Sequence, residues 1–169
     1  MLKKRIILLI ILSFFYQGYS HANDNIVFMD FNYVINNSNV GKKVLDVLNK
    51  QNKANIENLK SFQSKLKQEI EEINKLKNIA SEEDIKKKIS AHKVNAKEYD
   101  KLKIKLSNEL NKKRNDEMNK LVKLINPLLE NYMKDNSIDI VLNKEIVYFA
   151  KDQYDISKEI LDLTNNNYK

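Results

Sequence analysis

The sequence predicts an α+β protein that is mostly α, with a long antiparallel two-helix coiled-coil arm on a small β-rich base. Apolar residues recur at steps of three and four along two long stretches, which is typical of one helical face. A short break separates those stretches at residues 79–81. The 169 residues include only two glycines and one proline, so the chain has few turns.

The two arm helices are predicted from their apolar faces. The outgoing face consists of Leu59, Phe62, Leu66, Ile70, Ile73 and Leu76. The returning face consists of Ile85, Ile89, His92, Ala96, Tyr99, Leu102, Leu106 and Leu110. Folding at the break places Ile70 opposite His92 and Phe62 opposite residues 99–102. The faces are as narrow as a coiled-coil seam, and the arm is about 50 Å long at about 1.5 Å per residue.

The break contains residues that end one helix and begin the next. The run Ser81-Glu82-Glu83-Asp84 matches a capping box and puts three acids at the positive end of the helix dipole. Lys77 and Asn78 close the first helix with a cation and with a residue that tolerates the left-handed conformation.

Residues 1–22 have the parts of a secretory signal peptide. They have a charged start at residues 3–5, an apolar run at residues 6–16, and the small residues Ser20 and Ala22 before the cleavage point. The apolar run is too short to span a bilayer, and an uncleaved membrane anchor is the alternative. We therefore expect the mature protein to act outside the cytoplasm.

Charge is distributed unevenly along the rest of the chain. Residues 42–126 hold 22 Lys or Arg and 13 Asp or Glu. The other residues after position 22 hold 5 Lys or Arg and 10 Asp or Glu. The sequence thus predicts a basic arm on an acidic base.

The base is predicted from residues 23–43 and 127–169, with the arm at residues 44–126. Residues 26–29 are predicted to form a strand that ends at Asp30. The capping residues around Ser38 are predicted to start the helix that leads into the arm.

The last part of the chain completes the predicted base. Alternation from Ile138 predicts a strand, followed by a turn at residues 143–145, a second strand at residues 146–150, and a last helix capped by Asp155. Pro127 lies within the returning helix and predicts a kink, either a passive bend or a hinge. Strands that are apolar on both faces need more cover than one such chain supplies, so we expect self-association through the base.

The composition disfavours an enzyme. The chain has no cysteine, and its glycines are too few for a phosphate-binding loop. His92 is the one histidine after the signal segment, and no nucleophile–base pair or metal-ligand spacing accompanies it. We therefore predict no catalytic residue, no metal site and no cofactor, with His92 as a polar position in the arm seam.

Two groups of segments resemble a known family. At the start these are Ile26-Val27-Phe28-Met29-Asp30, Val34-Ile35-Asn36-Asn37-Ser38 and Gly41-Lys42, and near the end Ile138-Asp139-Ile140-Val141-Leu142, Ile146-Val147-Tyr148-Phe149-Ala150 and Asp155-Ile156-Ser157. In this order, with a signal peptide and a long basic hairpin, they resemble the Skp/OmpH family of periplasmic chaperones. The resemblance implies a jellyfish-like homotrimer whose base is a trimerisation body. It also implies that three arms enclose unfolded outer-membrane proteins in the periplasm without nucleotide.

The resemblance and the charge distribution together predict an ATP-independent holdase chaperone. Lysines along the arm would attract acidic unfolded chains and act as a sum rather than singly. The diffuse client-binding face is predicted to comprise Lys60, Lys65, Lys67, Lys75, Lys77, Lys86, Lys87, Lys88, Lys93, Lys97, Lys101 and Lys105. The oligomerisation residues are predicted to be Ile26, Phe28, Ile140, Leu142, Val147 and Phe149.

Two other functions fit the same residues. One is a basic exported coiled-coil module that binds anionic lipid, lipopolysaccharide or nucleic acid. Nucleic acid is not expected as a partner, because the segment after residue 22 has a single arginine, Arg114, and base readout favours arginine. Contact with lipopolysaccharide or anionic lipid is retained as a secondary activity. The other function is a passive structural spacer that binds no client.

Overall fold

A computed structural model describes residues 25–168, so the predicted signal peptide lies outside the described residues. The described chain is mostly helical and has one pair of strands, which confirms the predicted class. Its elements are β1 (Ile26–Met29), α1 (Phe31–Asn37), α2 (Asn39–Leu76), α3 (Glu82–Asp135), β2 (Ile140–Asn143) and α4 (Ser157–Asn167). Two short 3-10 turns, Lys144–Ile146 and Asp152–Tyr154, lie between β2 and α4.

The hairpin formed by α2 and α3 turns at the predicted break. Ser81 is the N-cap of α3, and its hydroxyl accepts a hydrogen bond from the Asp84 backbone N–H at 3.1 Å. The three predicted acids occupy the first turn of α3. Asn78 does not adopt the left-handed conformation that we expected at the end of the first arm helix. Among residues 25–168, Ser137 is the only non-glycine residue at positive φ. Instead, the carbonyl of Leu76 accepts from two successive N–H groups, so the helix ends in a tightened turn.

The strands β1 and β2 pair in parallel and bring the two ends of the described chain together. Ile26 lies opposite Ile140, and Phe28 lies opposite Leu142. Side chains alternate across a strand, so Val27 and Met29 enter the core while Ile26 and Phe28 point to the other face. The first strand thus meets the terminal region through β2 and not through a pair of strands over residues 138–150.

The core lies where the end of the hairpin away from the turn meets both ends of the described chain. It consists of Val27, Met29, Val34, Ile35, Leu121, Ile125, Ile138, Ile156, Ile160 and Leu161. All the described helices and both strands thus contribute to one cluster or pack beside it.

A close approach at Gly41 joins α1 to α2. A Cβ atom there would lie 1.8 Å from the Ile35 carbonyl oxygen and 2.8 Å from Ser38 Oγ. Ser38 is the predicted cap, and its hydroxyl accepts from the Gly41 N–H at 3.1 Å. Only glycine fits between the end of α1 and the start of α2.

The structure corrects two predictions in the base and adds one helix. Residues 146–150 do not form a strand, because the chain leaves β2 through the 3-10 turn at Lys144–Ile146 and returns on the far side of β1. The short helix α1 was not predicted, although Asp30 caps it by accepting from the Tyr33 N–H at 2.8 Å. The N-cap of α4 is Ile156 rather than Asp155, which instead accepts from the Ser157 N–H at 3.0 Å.

The helix α3 continues through Pro127 from Glu82 to Asp135, and Pro127 is exposed. The two alternatives for Pro127, a passive bend and a hinge, stay predictions. Among residues 25–168, none of the helices combines the length and the apolar character needed to cross a membrane.

Candidate functional site: the basic arms and the exposed face of the base

Direct contacts fix the pairing of the two arm helices. The rings of Phe62 and Tyr99 meet edge to face with their centroids 5.7 Å apart. Nearer the turn, Lys88 Nζ on α3 lies 2.9 Å from Glu72 Oε1 on α2. The predicted pairing of Phe62 with the region of Tyr99 is therefore confirmed, and the helices are antiparallel.

Glu69 connects the two helices between those contacts. Its carboxylate lies 2.9 Å from His92 Nδ1 and accepts from Asn95 Nδ2 at 2.7 Å. The contact with His92 is the main cause that lowers the pKa of Glu69, partial burial acts against it, and Asn95 adds to the lowering. His92 is thus a half-buried polar position in the seam, as predicted, and its partner there is Glu69.

The seam is only partly covered. Ile73 is buried, whereas Ile70 and Ile89, both predicted in the seam, remain 46% and 37% exposed. Two helices cover each such side chain from one direction only, so the arm keeps aliphatic surface along its length. Further exposed aliphatic residues lie outside the predicted seam, and these are Ile56, Ile79, Val94 and Ile104.

The predicted client-binding lysines are spread over both helices and do not converge on one point. All of them are exposed except Lys88, which is half-buried. Lys87 pairs with Glu83 at 2.9 Å, and Lys105 lies 4.0 Å from Glu109. The other nine make no ion pair within the described part of the chain, so their charges are available to a partner.

The outward face of the two strands is an exposed apolar surface. Ile26 and Ile140 are each 42% exposed, and Leu142 is 36% exposed. The predicted oligomerisation residue Phe28 is already buried within one chain, with Lys144 Nζ 5.8 Å from its ring centroid. In the described chain β2 pairs only with β1, so its other edge has no partner strand.

The segment after β2 extends this apolar surface. Phe149 is 89% exposed, while Val147 is half-buried. Ile146 and Tyr148 were not predicted as oligomerisation residues, yet both are strongly exposed. The sequence could have indicated them, because residues 146–150 are five apolar residues in succession, which is rare on the surface of a monomer.

A polar network beneath this surface ties the start of α4 to β1. Lys144 Nζ lies 2.7 Å from Asp155 Oδ2, and the Ser157 hydroxyl donates to Asp155 while accepting from the Asp30 N–H at 2.8 Å. Burial alone would raise the pKa of Asp155, but hydrogen bonds from Lys144 and Ser157 outweigh it and lower that pKa. Each of these groups has a hydrogen-bond partner within the network. We therefore interpret the network as one that stabilises the fold.

No three His, Asp or Glu side chains among residues 25–168 come together as metal ligands. The larger cavities of the described chain are open grooves on the arm, such as the groove of about 560 Å³ lined by Lys112, Lys113, Asp116 and Lys120 among others. The arrangement offers extended, charged and partly apolar surfaces for binding.

Comparison with known proteins agrees with this arrangement. The family described as "Outer membrane protein (OmpH-like)" matches residues 25–163. A crystal structure of a protein from Caulobacter crescentus CB15, described as an outer membrane chaperone (OmpH-like), superposes with a TM-score of 0.77 at 14% identity and covers 88% of each chain. No curated protein matches the chain. Because the family match spans most of the sequence, the chain belongs to the OmpH-like outer membrane protein family.

Proposed function

We propose that this protein is an ATP-independent holdase chaperone of the periplasm that encloses unfolded outer-membrane proteins between its arms. Membership of the OmpH-like family supports a chaperone role for outer-membrane proteins. The observation that carries the proposal is an arm whose lysines are exposed and mostly without an ion pair in the described chain. Exposed aliphatic side chains such as Val94 lie beside them.

Unfolded clients would be held by many weak contacts. Exposed lysines attract acidic chains, and ions screen this attraction beyond about 8 Å at physiological salt. Half-exposed aliphatic residues such as Ile70 add adaptable apolar contacts. Several arms acting together would give avidity without a deep pocket, which suits clients that share no sequence.

The base supports association of three copies. Ile26, Ile140 and Leu142 form an exposed apolar patch, and the open edge of β2 borders it. Phe149 and Tyr148 are almost fully exposed, and aromatic residues of this kind anchor interfaces between subunits. A second and third copy would cover this surface, and a closed ring would project the arms around a common space.

Sedimentation tests the assembly. We expect a trimer at micromolar concentration, and a monomer there would contradict the cavity. Replacing both Tyr148 and Phe149 with serine should shift the protein toward the monomer, because the apolar anchor is lost. Replacing both Ile79 and Ile104 with serine, which also removes two strongly exposed apolar side chains but from the arm, is the control and should leave the trimer intact.

Light scattering tests the holdase activity. The protein should suppress aggregation of an unfolded outer-membrane β-barrel at 0.15 M salt. Suppression should be weaker at 1 M salt, because the Debye length falls there to about 3 Å. Suppression that is unchanged at 1 M salt would show that the lysines do not act electrostatically. No suppression at either salt concentration would favour the passive spacer.

An anionic surface is the second candidate partner, because the arm carries most of the positive charge of the chain. Sedimentation with vesicles of neutral and of anionic lipid separates this activity from client binding. Binding to anionic vesicles without any suppression of aggregation would favour the lipid-binding alternative.

A further inference from the structure

The returning helix α3 carries a regular row of lysines on the side away from the seam. We name this row the lysine stripe, and its members are Lys93, Lys97, Lys101 and Lys105. At about 100° per residue, each step of four residues turns about 40°, so the row winds about 120° around the helix from Lys93 to Lys105 while it stays off the seam. All four are exposed, whereas His92, Ala96 and Tyr99 of the seam are half-buried.

Two aliphatic residues border this row rather than the seam. Val94 is 55% exposed and Ile104 is 62% exposed. Neither belongs to the face that packs on α2, so neither is explained by folding of the arm. Val94 is three residues before Lys97 and Ile104 is three residues after Lys101, so each borders a lysine of the stripe and gives the surface apolar contacts at two points.

The stripe is also the least neutralised part of the arm. Residues 86–105 hold eight lysines and two acids, whereas residues 57–77 of the outgoing helix hold five lysines and four acids. Lys93, Lys97 and Lys101 make no ion pair in the described chain, and Lys105 has only the 4.0 Å contact with Glu109. Residues 42–68 of the outgoing helix hold seven lysines and two acids, so its excess of positive charge is spread over a longer stretch.

The spacing of the stripe selects the shape of its partner. Lysines four residues apart on a helix are about 6 Å apart along the axis. Alternate residues of an extended chain are about 6.6–6.8 Å apart and point to the same side. Along the axis the two repeats differ by about 2 Å over three intervals, and the long, flexible lysine side chains must also bridge the winding of the row around the helix.

We propose that the lysine stripe binds extended segments of about seven residues that carry acidic side chains at alternate positions. Strands of outer-membrane barrels alternate polar and apolar residues, so such segments are a substrate class for the chaperone function proposed above, on which this inference rests. Val94 and Ile104 contact the apolar flanks of the same segment. An anionic membrane fits less well, because helices that lie in a membrane surface present a broad apolar face, often with aromatic residues. The stripe presents two aliphatic residues.

The test compares two fluorescent heptapeptides of the same composition. One carries glutamate at positions 1, 3, 5 and 7 with valine between them, and the other carries the four glutamates in succession. Fluorescence anisotropy with the purified protein at low salt should show that the alternating peptide binds several-fold more tightly. Replacing Lys93, Lys97 and Lys101 together with glutamine should weaken its binding by roughly tenfold and abolish the preference.

A matched variant replaces Lys50, Lys53 and Lys112 with glutamine, which removes the same charge from exposed arm positions outside the stripe. It should keep the preference and lose less than about twofold in affinity. Circular dichroism confirms that both variants remain helical, as expected for exposed lysines. Equal binding of the two peptides, no binding of either, or a preference that survives the stripe variant would overturn the inference.

Two further measurements keep this outcome distinct from that of the proposed function. If the unsubstituted protein fails to suppress aggregation of an unfolded barrel, the holdase proposal fails whatever the peptides do. If it suppresses aggregation and the stripe variant loses no more than the matched variant, the stripe assignment alone fails. Loss of binding to anionic vesicles with unchanged peptide binding would assign the stripe to a membrane and also overturn the inference.

Discussion

Replacing Gly41 with alanine tests the close approach between α1 and α2. The new Cβ atom would lie 1.8 Å from the Ile35 carbonyl oxygen and 2.7 Å from its carbon, so the backbone itself must move. Ile35 and Ser38 are both buried, and neither can yield without disturbing the core. Overpacking costs about 1–3 kcal/mol, and loss of the Ser38 cap adds about 0.5–2 kcal/mol. We expect Gly41→Ala to destabilise the protein by about 2–4 kcal/mol.

The assay is urea denaturation followed by circular dichroism at one fixed protein concentration, since association shifts apparent stability. The sign of the effect makes the test decisive. Without a clash, alanine within a helix is more stable than glycine by about 1 kcal/mol, so the denaturation midpoint would rise. Asn49→Ala, at an exposed position later in α2, controls for helix propensity and should raise the midpoint slightly. A midpoint for Gly41→Ala that is unchanged or raised would refute the reasoning.

Three further changes probe the core, the arm contacts and the turn. Ile125→Ala should lower the free energy of unfolding by about 2–5 kcal/mol because its side chain is fully buried, whereas Ile104→Ala on the surface should change it by less than about 0.5 kcal/mol in urea denaturation. Because the folded arm lowers the pKa of Glu69, its contribution to stability is present above the unfolded pKa and is lost as pH falls through the folded pKa. The protection factors of amides near His92, which correct for the intrinsic pH dependence of exchange, should therefore fall in acid, and Glu69→Gln should remove that part of the pH dependence. Ser81→Ala should remove the cap of α3 at a cost of about 0.5–2 kcal/mol, seen as faster exchange in its first turn but unchanged exchange around Ile125.

The arm was predictable because its signals are local and repeated. Apolar steps of three and four persist over many turns, and Ser81 with its following acids marks one helix start clearly. The pairing of Phe62 with Tyr99 then followed from the position of the break alone. The end of α2 was less predictable, since a tightened turn and a left-handed cap satisfy the same carbonyl groups.

The base was harder to predict because its contacts are distant in sequence. The parallel direction of β1 and β2 depends on a crossover through the whole hairpin, which no local pattern records. Residues 146–150 have strand propensity, but their apolar character reflects an exposed surface rather than a buried strand. The helix α1 is too short to show a periodic face.

The candidate surfaces were predictable in composition but not in arrangement. Counting charges identified the lysines, yet only the structure shows that Lys93 and Lys97 are exposed next to half-buried residues of the seam. Val94 and Ile104 could have been noticed as apolar residues outside the seam pattern. Phe28 was predicted at the interface because it lies in an apolar strand. In the structure, Lys144 and the return of the chain beside β1 already cover it.

The parallel strand pair also constrains the order in which the molecule can be completed. Asn25 donates its backbone N–H to Asp139, which lies 114 positions later, so the first strand must wait for nearly the whole polypeptide to emerge. The hairpin needs only neighbouring segments, and once formed it shortens the effective loop between those distant partners. We therefore expect the arm to fold before the base. Pulsed hydrogen exchange during refolding should accordingly protect the region around Phe62 before Val27.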